Sequence, residues 1–378
     1  MKFVIAPDSF KGSLTALEVS ESIEKGIKKV FEDAVIEKIP MADGGEGTVQ
    51  SLVDSTGGRI VNINVKGPVL KDVNAFYGIL GDEKTAIIEM AAASGLPLVS
   101  EEEKNPMITT SYGTGELIRD ALDKGCRNII IGLGGSATND GGAGMLKALG
   151  VQFLDSKGED VGFGGESLGK ICNIDLTNMD SRIKECRITA ACDVNNPLCG
   201  TEGASYVFGP QKGADEEMVK ELDSNLANYA EIIKKDLKTD IINEPGSGAA
   251  GGMGAGLMAF LNAKLERGID IVIKLTNLEE KIKKADVVFT GEGMMDYQTA
   301  FGKTPYGVAK VAKKYNLPVI GITGGIGKGA ETLYDKGFDS VFSIVDKPMP
   351  LIDAMTDGKE LIERAAERIM RAIKVNII

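Results

Sequence analysis

Short apolar runs alternate with amphipathic stretches at both ends of the chain. KFVIA, near the start, has the composition of a strand, and Thr15 and Glu18 behind it form a T-x-x-E capping box. Apolar residues then recur at helical spacing as far as Val30. Further strand-like runs flanked by helical patterns are AVIEKIP, RNIIIGLG, DVVFTG, LPVIGIT and DSVFSIV. This alternation predicts a parallel sheet that is covered by helices on both faces.

The middle of the chain has a different pattern. Residues 59–90 predict consecutive strands in RIVNINV, VNAFYGIL and TAIIEM, whereas residues 151–210 are irregular and rich in glycine. Toward the C-terminus, Thr304 is predicted as an N-cap and Pro305 as the first helical residue. We therefore expect an α/β protein in which a second α/β domain is inserted into the first.

Each predicted domain is assembled from separate pieces of the chain. The first is a Rossmann-like domain with a doubly wound parallel sheet, formed by residues 1–64, 108–150 and 250–378. The inserted α/β domain is formed by residues 65–107 and 151–249. At 378 residues the chain exceeds what one hydrophobic core usually covers, which also favours two domains.

The chain contains no histidine. This excludes Ser-His-Asp and Cys-His hydrolases, HExxH metalloproteases and imidazole-ligated metals. Proton transfer must therefore use Asp, Glu, Lys, Tyr or Cys, and a bound metal is expected to be a hard, oxygen-ligated ion such as Mg²⁺. The formal net charge of −12, without a dense run of Lys and Arg, argues against nucleic acid as a partner.

The cysteines and the apolar runs indicate the cellular compartment in which the protein is expected. The five cysteines are odd in number and form no CxxC pattern, and the first residues are typical of a strand rather than of a secretory segment. The small-residue run at 248–261 is too short and too rich in glycine to span a bilayer. We expect a cytoplasmic protein with no membrane partner.

Candidate chemistry is concentrated on loops that follow predicted strands. TGEGMMDYQTAFGKT, at positions 290–304, carries Glu292, Asp296 and Lys303 after the strand-like run ADVVF. Ligands of open α/β sheets bind at this end of the strands. APDSFKGS, at 6–13, places Lys11 where it could meet an anionic group, although a solvated loop explains it equally well. Asp193, in ACDVNNPLCG, is either a base or a turn residue.

Glycine-rich segments are candidates for binding phosphate. In GLGGSATNDGGAG, at 132–144, glycines would let the backbone approach an anion at a helix N-terminus, and a tight turn that needs glycine is the alternative. The same stretch fits a dinucleotide fingerprint at Gly132, Gly134 and Ala137, with Asp155 at a suitable distance. An NAD-dependent dehydrogenase is therefore a second hypothesis. GAAGGMGAG, at 248–256, is either a second phosphate cradle or a site of close helix packing.

The motifs together resemble those of the bacterial glycerate kinase family, in the type I, glycerate 2-kinase branch. The resemblance runs from Met1 nearly to the C-terminus through IAPDSFKGSL, MADGGEGT, IEMAAASGL, GLGGSATNDGGAG, ACDVNNPL, FGPQKGA, GSGAAGGMGAGLMAFL and TGEGMMDYQTAFGKTPYGVA. It implies ATP-dependent phosphorylation of D-glycerate, usually to 2-phosphoglycerate, by two α/β domains with the active site in the cleft between them. A non-catalytic metabolite-binding regulator is the third hypothesis.

Roles follow for the candidate residues. Asp193 is expected to orient the glycerate hydroxyl, Lys11 to meet the glycerate carboxylate or the transferred phosphate, and Asp296 to be the third catalytic residue. The predicted substrate-binding residues are Asp8, Ser9, Lys11, Asp43, Glu292 and Lys303. The predicted ATP-binding residues are Gly134, Gly135, Ser136, Thr138, Asn139, Gly252 and Gly254. Glu292 and Asp296 are the candidate ligands of Mg²⁺, which is the expected cofactor with ATP as co-substrate.

Two positions depart from the resemblance, Met294 and also Phe301, where family members often carry histidine. Met294 stands where family members commonly carry arginine, in G-E-G-R-x-D. Loss of that arginine would weaken the binding of an anion, and Lys11 or Lys303 could compensate.

Overall fold

The computed structural model describes residues 1–375, which fold into two compact units. The terminal unit comprises Met1–Asp43, Gln50–Gly57 and the chain from Ile269 onward, and the central unit comprises Gly44–Val49 and Gly58–Gly268. The strands are β1 (Lys2–Ile5), β2 (Val35–Lys38), β3 (Arg59–Lys66), β4 (Asp72–Ile79), β5 (Thr85–Glu89), β6 (Asn128–Gly132), β7 (Gln152–Leu154), β8 (Asn173–Asp175), β9 (Arg187–Ala191), β10 (Lys264–Glu266), β11 (Val287–Met295), β12 (Val319–Ile326) and β13 (Ser340–Ser343). The α-helices are α1 (Ala16–Lys28), α2 (Thr48–Thr56), α3 (Ala91–Ser94), α4 (Tyr112–Asp123), α5 (Ala143–Ala148), α6 (Ala204–Phe208), α7 (Glu216–Leu237), α8 (Ala249–Leu261), α9 (Gly268–Leu275), α10 (Leu278–Ile282), α11 (Thr304–Lys313), α12 (Leu351–Thr356) and α13 (Gly358–Val375).

The terminal unit is built on a parallel sheet with the strand order β13-β12-β11-β1-β2. Counted within this unit, the order is 2-1-3-4-5 from the β2 edge, which is one of the two common orders of doubly wound sheets. The direction of winding reverses between β1 and β11, where Phe3 pairs with Val287. In such sheets the ligand binds outside the carboxyl ends of the strands at that reversal. The α/β prediction is confirmed.

Two helices pack closely on this sheet. The capping box predicted for α1 is present, because the Thr15 hydroxyl accepts a hydrogen bond from the Glu18 amide at 3.2 Å and Glu18 accepts one from the Thr15 amide at 2.9 Å. A Cβ atom at Gly26 would lie 2.3 Å from the Glu363 carbonyl of α13. The helices therefore approach more closely than any other residue would allow, and they bury Ile23, Ile27 and their neighbours.

The start of α11 differs from the prediction by one residue. Lys303 occupies the N-cap, Thr304 is the first helical residue, and Pro305 follows within the first turn. The Thr304 hydroxyl donates to the Asp8 carboxylate at 2.7 Å, which ties the first turn of α11 to the loop after β1.

The central unit has a mixed sheet with the order β10-β9-β6-β5-β4-β3. The strands β3, β4 and β5 are antiparallel, as expected from consecutive strand signals, and β5, β6, β9 and β10 are parallel. The strands β7 and β8 form a separate antiparallel pair. Tyr77, Phe153 and Tyr229 are among the largest side chains of the central core.

The domain boundaries differ from those predicted. Residues 108–150 belong to the central unit, because β6 pairs with β5 on one side and β9 on the other. Residues 250–268 belong there too, because β10 pairs with β9. Both segments belong to the central unit through backbone pairing with strands that are distant in the sequence. The local pattern around a strand does not show which strand it pairs with, so the sequence did not predict this.

Within residues 1–375, none of the helices combines the length and the apolar character that a membrane crossing requires.

Candidate active site

A cavity of about 280 Å³ lies in the terminal unit, at the carboxyl ends of β1 and β11. These are the strands between which the winding of the sheet reverses. The lining residues are Asp8, Ser9, Lys11, Asp43, Glu292, Gly293, Met294 and Lys303. Every residue predicted to bind the substrate is therefore in this wall. Three carboxylates and two lysines here face a space suited to a small, charged molecule.

Asp8 is almost fully buried in this wall, with an exposed fraction of 5%. Its two oxygens accept hydrogen bonds from the Ser9 amide and from the Thr304 hydroxyl, both at 2.7 Å. Burial, with a further contribution from the negative charge of Asp43, raises the pKa of Asp8 to about 7. A substantial fraction of the Asp8 carboxyl is therefore protonated at neutral pH.

Glu292 projects from β11 beside Asp8. Its Oε1 accepts a hydrogen bond from the Thr299 hydroxyl at 2.7 Å, and its Oε2 lies 3.3 Å from the Lys303 ammonium. Burial raises the pKa of the Glu292 carboxyl, and the Thr299 hydrogen bond and the Lys303 charge oppose that rise. The ion pair holds Lys303 at the cavity, where its ammonium can also reach an anionic ligand.

Asp296 has a different place from the one predicted. Its Oδ1 accepts the Gln298 amide at 2.8 Å, so it caps the 3₁₀ helix Tyr297–Phe301, and it is absent from the cavity wall. Asp296 therefore lies outside this cavity wall, and its pairing with Glu292 as metal ligands stays a prediction. Asp8, Asp43 and Glu292 are the carboxylates that share the cavity.

The glycine-rich loop after β6 is only partly accessible. Gly134 and Gly135 are exposed, whereas Ser136, Thr138 and Asn139 are buried. Behind the loop lies the fully buried Lys212, whose ammonium donates to the Ser136 hydroxyl at 2.9 Å and to the Thr138 carbonyl at 2.7 Å. Burial lowers the pKa of Lys212 to about 7, and the charge of Asp140 opposes this.

Lys212 was missed as a functional candidate in the sequence. The one available signal was its place in FGPQKGA, a motif that contributed to the family resemblance. Of the predicted ATP-binding residues on this loop, only Gly134 and Gly135 present accessible backbone.

Gly252 and Gly254 serve close packing, the second of the two readings of their segment. A Cβ atom at Gly252 would lie 3.0 Å from the Gly141 Cα, and one at Gly254 would lie 2.1 Å from the Gly246 carbonyl. Both glycines are buried. Protein atoms therefore lie close to both glycines, which favours close packing over a phosphate cradle.

Asp193 lies in the central unit, two residues after the end of β9. Its side chain is exposed, and its Oδ1 accepts a hydrogen bond from the Gly268 amide at 3.3 Å. This contact is compatible both with a base and with a turn residue.

Asp155 does not lie where the acidic residue of a dinucleotide-binding fingerprint is required. Asp155 follows β7, which belongs to the small β7–β8 sheet and not to the sheet that contains β6. Its Oδ1 accepts the amides of Lys157 and Glu159 at 2.8 and 2.9 Å, so it organises its own turn. Nothing in the structure supports the dehydrogenase hypothesis.

The buried Asp8 carboxyl predicts a distinctive dependence of stability on pH. Folded Asp8 keeps its proton to about pH 7, whereas the unfolded group loses it near 3.8, so the folded state binds more protons between these values. Wild-type stability contributed by this group therefore falls as pH rises from about 4 to 7, by at most about 4 kcal/mol. Asp8→Asn removes this loss. Urea unfolding of the ligand-free protein in EDTA should show the variant gaining roughly 2–4 kcal/mol relative to wild type between pH 4 and pH 8.

A constant difference between the two proteins across this pH range would contradict the prediction. Asp155→Asn is the control, because Asp155 is only half-buried and backbone hydrogen bonds lower the pKa of its carboxyl, so its substitution should produce no such trend between pH 4 and pH 8.

The strand order defines a doubly wound α/β protein, and a polar cavity lies at the switch point of its terminal sheet. Comparison with known proteins shows the family to which this chain belongs. The chain belongs to the glycerate kinase family, whose family model matches residues 3–374.

Several relatives are similar to the chain over nearly its whole length. A glycerate kinase from Bacillus cereus is 55% identical over 375 residues, which cover 99% of this chain and 98% of the relative. A glycerate 2-kinase from Escherichia coli is 53% identical over 377 residues, which cover 100% and 99%. A crystal structure from Salmonella typhimurium LT2, provisionally assigned as glycerate kinase 2, matches with a TM-score of 0.92 and 52% identity, over 100% of this chain and 99% of that one.

Proposed function

We propose that this chain is an enzyme that phosphorylates D-glycerate with ATP, and that glycerate binds in the cavity formed by Asp8, Lys11, Asp43, Glu292 and Lys303. Family membership and the named activity of relatives above 50% identity support the reaction. The cavity supports the location, because it combines the switch point of the sheet with cations for a carboxylate and acidic groups for hydroxyls.

The groups of the cavity suit the two ends of glycerate. Lys11 and Lys303 are the cations available for the glycerate carboxylate or for the phosphoryl oxygens. Asp8 and Glu292 can accept hydrogen bonds from the two hydroxyl groups, and protonated Asp8 can also donate one. Asp193 remains our proposed group for orienting the attacking hydroxyl. Gly134 and Gly135 remain proposed contacts of the ATP phosphates.

Mg²⁺ is proposed as the cofactor. Hard carboxylate oxygens are the ligands it prefers, and Asp8, Asp43 and Glu292 supply them at the cavity. Within residues 1–375, no cluster of three or more His, Cys, Asp or Glu side chains could hold a metal ion. This fits a cation held by one or two carboxylates together with substrate phosphates. When bound, Mg²⁺ would neutralise charge on the transferring phosphoryl group.

Two finer assignments are also proposed. The similarity to a glycerate 2-kinase supports 2-phosphoglycerate as the product. The use of ATP and the free state of the cysteines support a cytoplasmic location, which cell fractionation would test.

The decisive assay follows ADP release with Mg-ATP and a panel of small hydroxy acids. D-glycerate should accelerate ADP release far more than L-glycerate, glycolate or lactate, and ³¹P NMR of the product should show the phosphate on carbon 2. An ADP release rate that D-glycerate leaves unchanged would refute the substrate. Reduction of NAD by the same mixture would revive the dehydrogenase.

Met294 provides a test of the cavity itself. Its side chain is 52% exposed in the cavity wall, so an arginine there can be solvated and the fold should tolerate it. Met294→Arg is expected to lower the KM for glycerate or ATP by roughly two- to five-fold, because an exposed guanidinium pairs with carboxylate or phosphate. Steady-state kinetics would measure this.

Met294→Gln is the control, since it adds polarity without charge. Unchanged KM values for both substrates in a well-folded arginine variant would refute the prediction, and would mean that the lysines already supply the necessary charge.

A further inference from the structure

A second and larger cavity adjoins the first in the terminal unit. Its volume is about 520 Å³, against about 280 Å³ for the polar cavity. The two share Lys11, Gly293 and Met294 as a common wall. The larger volume lies within the range of roughly 300–1,000 Å³ that is usual for cofactor-sized ligands, and the smaller one suits a three-carbon acid.

The larger cavity has a different chemical character. Phe10, Ile344, Val345, Met349 and Leu351 give it an apolar lining. Lys11, on the wall shared with the polar cavity, is the one charged side chain among the residues that line it. A ligand that fits this arrangement has an uncharged, flat, apolar part and an anionic part directed toward Lys11.

Two glycines in the walls, Gly293 and Gly325, have no backbone conformation that requires glycine. Neither Gly293 nor Gly325 has a positive φ. A Cβ atom at Gly293 would come no closer than 3.6 Å to another atom, and one at Gly325 would meet only the flexible end of Met294, at 3.0 Å. Glycine inside a strand often marks a place where a ligand or another backbone approaches closely, and both glycines line the larger cavity.

We propose that this apolar cavity binds the adenine and ribose of the ATP co-substrate, with the phosphate chain passing Lys11 toward the polar cavity. This inference rests on the proposed kinase function and deepens it, because it places the nucleoside at the carboxyl ends of β12 and β13 rather than on the loop after β6. Donor and acceptor then lie side by side with Lys11 between them. Phosphoryl transfer depends on such positioning and on a cation at the transferred group.

The absence of tryptophan from the chain makes a sharp experiment possible. Ala354 and Ile352 lie on the same helix α12, but only Ala354 lines the cavity, and Ile352 is 68% exposed. Ala354→Trp is expected to raise the KM for ATP, and the Kd of ADP and adenosine measured by calorimetry, at least about ten-fold, because the indole occupies the volume of the base. Ile352→Trp should change these values by less than about two-fold.

Measurements with tripolyphosphate and glycerate distinguish a specific loss of adenine binding from a general loss of structure in the variant. The Kd of tripolyphosphate and the KM for glycerate should stay within about two-fold of wild type in Ala354→Trp, because neither ligand carries a base. Gly325→Val is the second variant, should the tryptophan disturb folding, since its side chain displaces only Met294. Photolabelling of the wild-type protein with 8-azido-ADP, followed by peptide mapping, should modify residues 344–358.

The outcomes distinguish this inference from the proposed function. Wild-type turnover of D-glycerate with an unchanged KM for ATP in Ala354→Trp and Gly325→Val would overturn the base site alone. A label on residues 132–139 would overturn it as well. Binding of ADP that the variants abolish, in a wild-type protein that does not phosphorylate glycerate, would support the base site and refute the substrate. Variants that lose affinity for tripolyphosphate as much as for ADP would also count against it.

Discussion

Asp193→Asn is expected to lower kcat for D-glycerate phosphorylation about 10³-fold while the affinity for ADP and the melting temperature stay unchanged. A positioned carboxylate that accepts the hydroxyl proton contributes about 10²- to 10⁴-fold to a rate, and a carboxamide cannot accept that proton. The substitution is structurally mild, because the asparagine oxygen can still accept the Gly268 amide hydrogen bond that Asp193 accepts at 3.3 Å. Steady-state kinetics, calorimetry with ADP and a thermal melt together measure the prediction.

The competing interpretation of Asp193 is that of a turn residue, for which asparagine is an equally good choice. Asp155→Asn is the matched control, because Asp155 is a half-buried aspartate of the same unit that accepts backbone amides in a turn. Its substitution should leave kcat unchanged. If Asp193→Asn behaves like this control, Asp193 is a turn residue. The candidate base would then be Asp8, which lies in the cavity, rather than Asp296, which caps a 3₁₀ helix.

Lys11→Ala is expected to lower kcat/KM about 10²- to 10³-fold, since a charge contact that strengthens in the transition state has effects of this size. Lys11 is exposed on the loop after β1 and lines both cavities. Its removal therefore deprives the ligand of a cationic contact but removes little packing from the hydrophobic core. The melting temperature should therefore remain within about 2 °C of wild type. Kinetics with each substrate varied in turn would show whether glycerate, ATP or both lose the contact.

Lys336→Ala supplies the control for a general change in charge. Lys336 is an exposed lysine of the same unit that lines neither cavity. An unaltered kcat/KM in Lys11→Ala, accompanied by a lowered melting temperature, would make Lys11 a structural residue.

Local elements were predictable because their signals lie within a few residues. The capping box of Thr15 and Glu18 joins two side chains three positions apart, and it starts α1 as predicted. The predicted strands at the start of the chain, at 59–90 and after 286 are all present. The switch-point rule was equally informative, because Asp8 and Glu292 each follow an apolar run whose carboxyl end meets the same edge of the sheet.

Contacts between distant segments were not predictable. Asp8 and Thr304 are 296 residues apart in the sequence, yet the Thr304 hydroxyl donates a hydrogen bond to the buried Asp8 carboxylate. The glycine-rich segments show the same limit. A Cβ atom at Gly252 would lie 3.0 Å from the Gly141 Cα, whereas one at Gly293 would meet its nearest neighbour, the Phe10 Cα, at 3.6 Å, and the sequence letter is identical in both cases.

The sequence by itself determined the α/β class, the positions of the strands that it predicted, the glycerate kinase resemblance and the set of residues around the polar cavity. These depend on local periodicity, on caps and on motifs read in order. The tertiary structure decided that β6 belongs to the central sheet, that Asp296 and Gly252 do not line a ligand cavity, and that Lys11 stands between two cavities. The reason is physical: pairing, burial and the space beside a residue depend on what the rest of the chain brings opposite it.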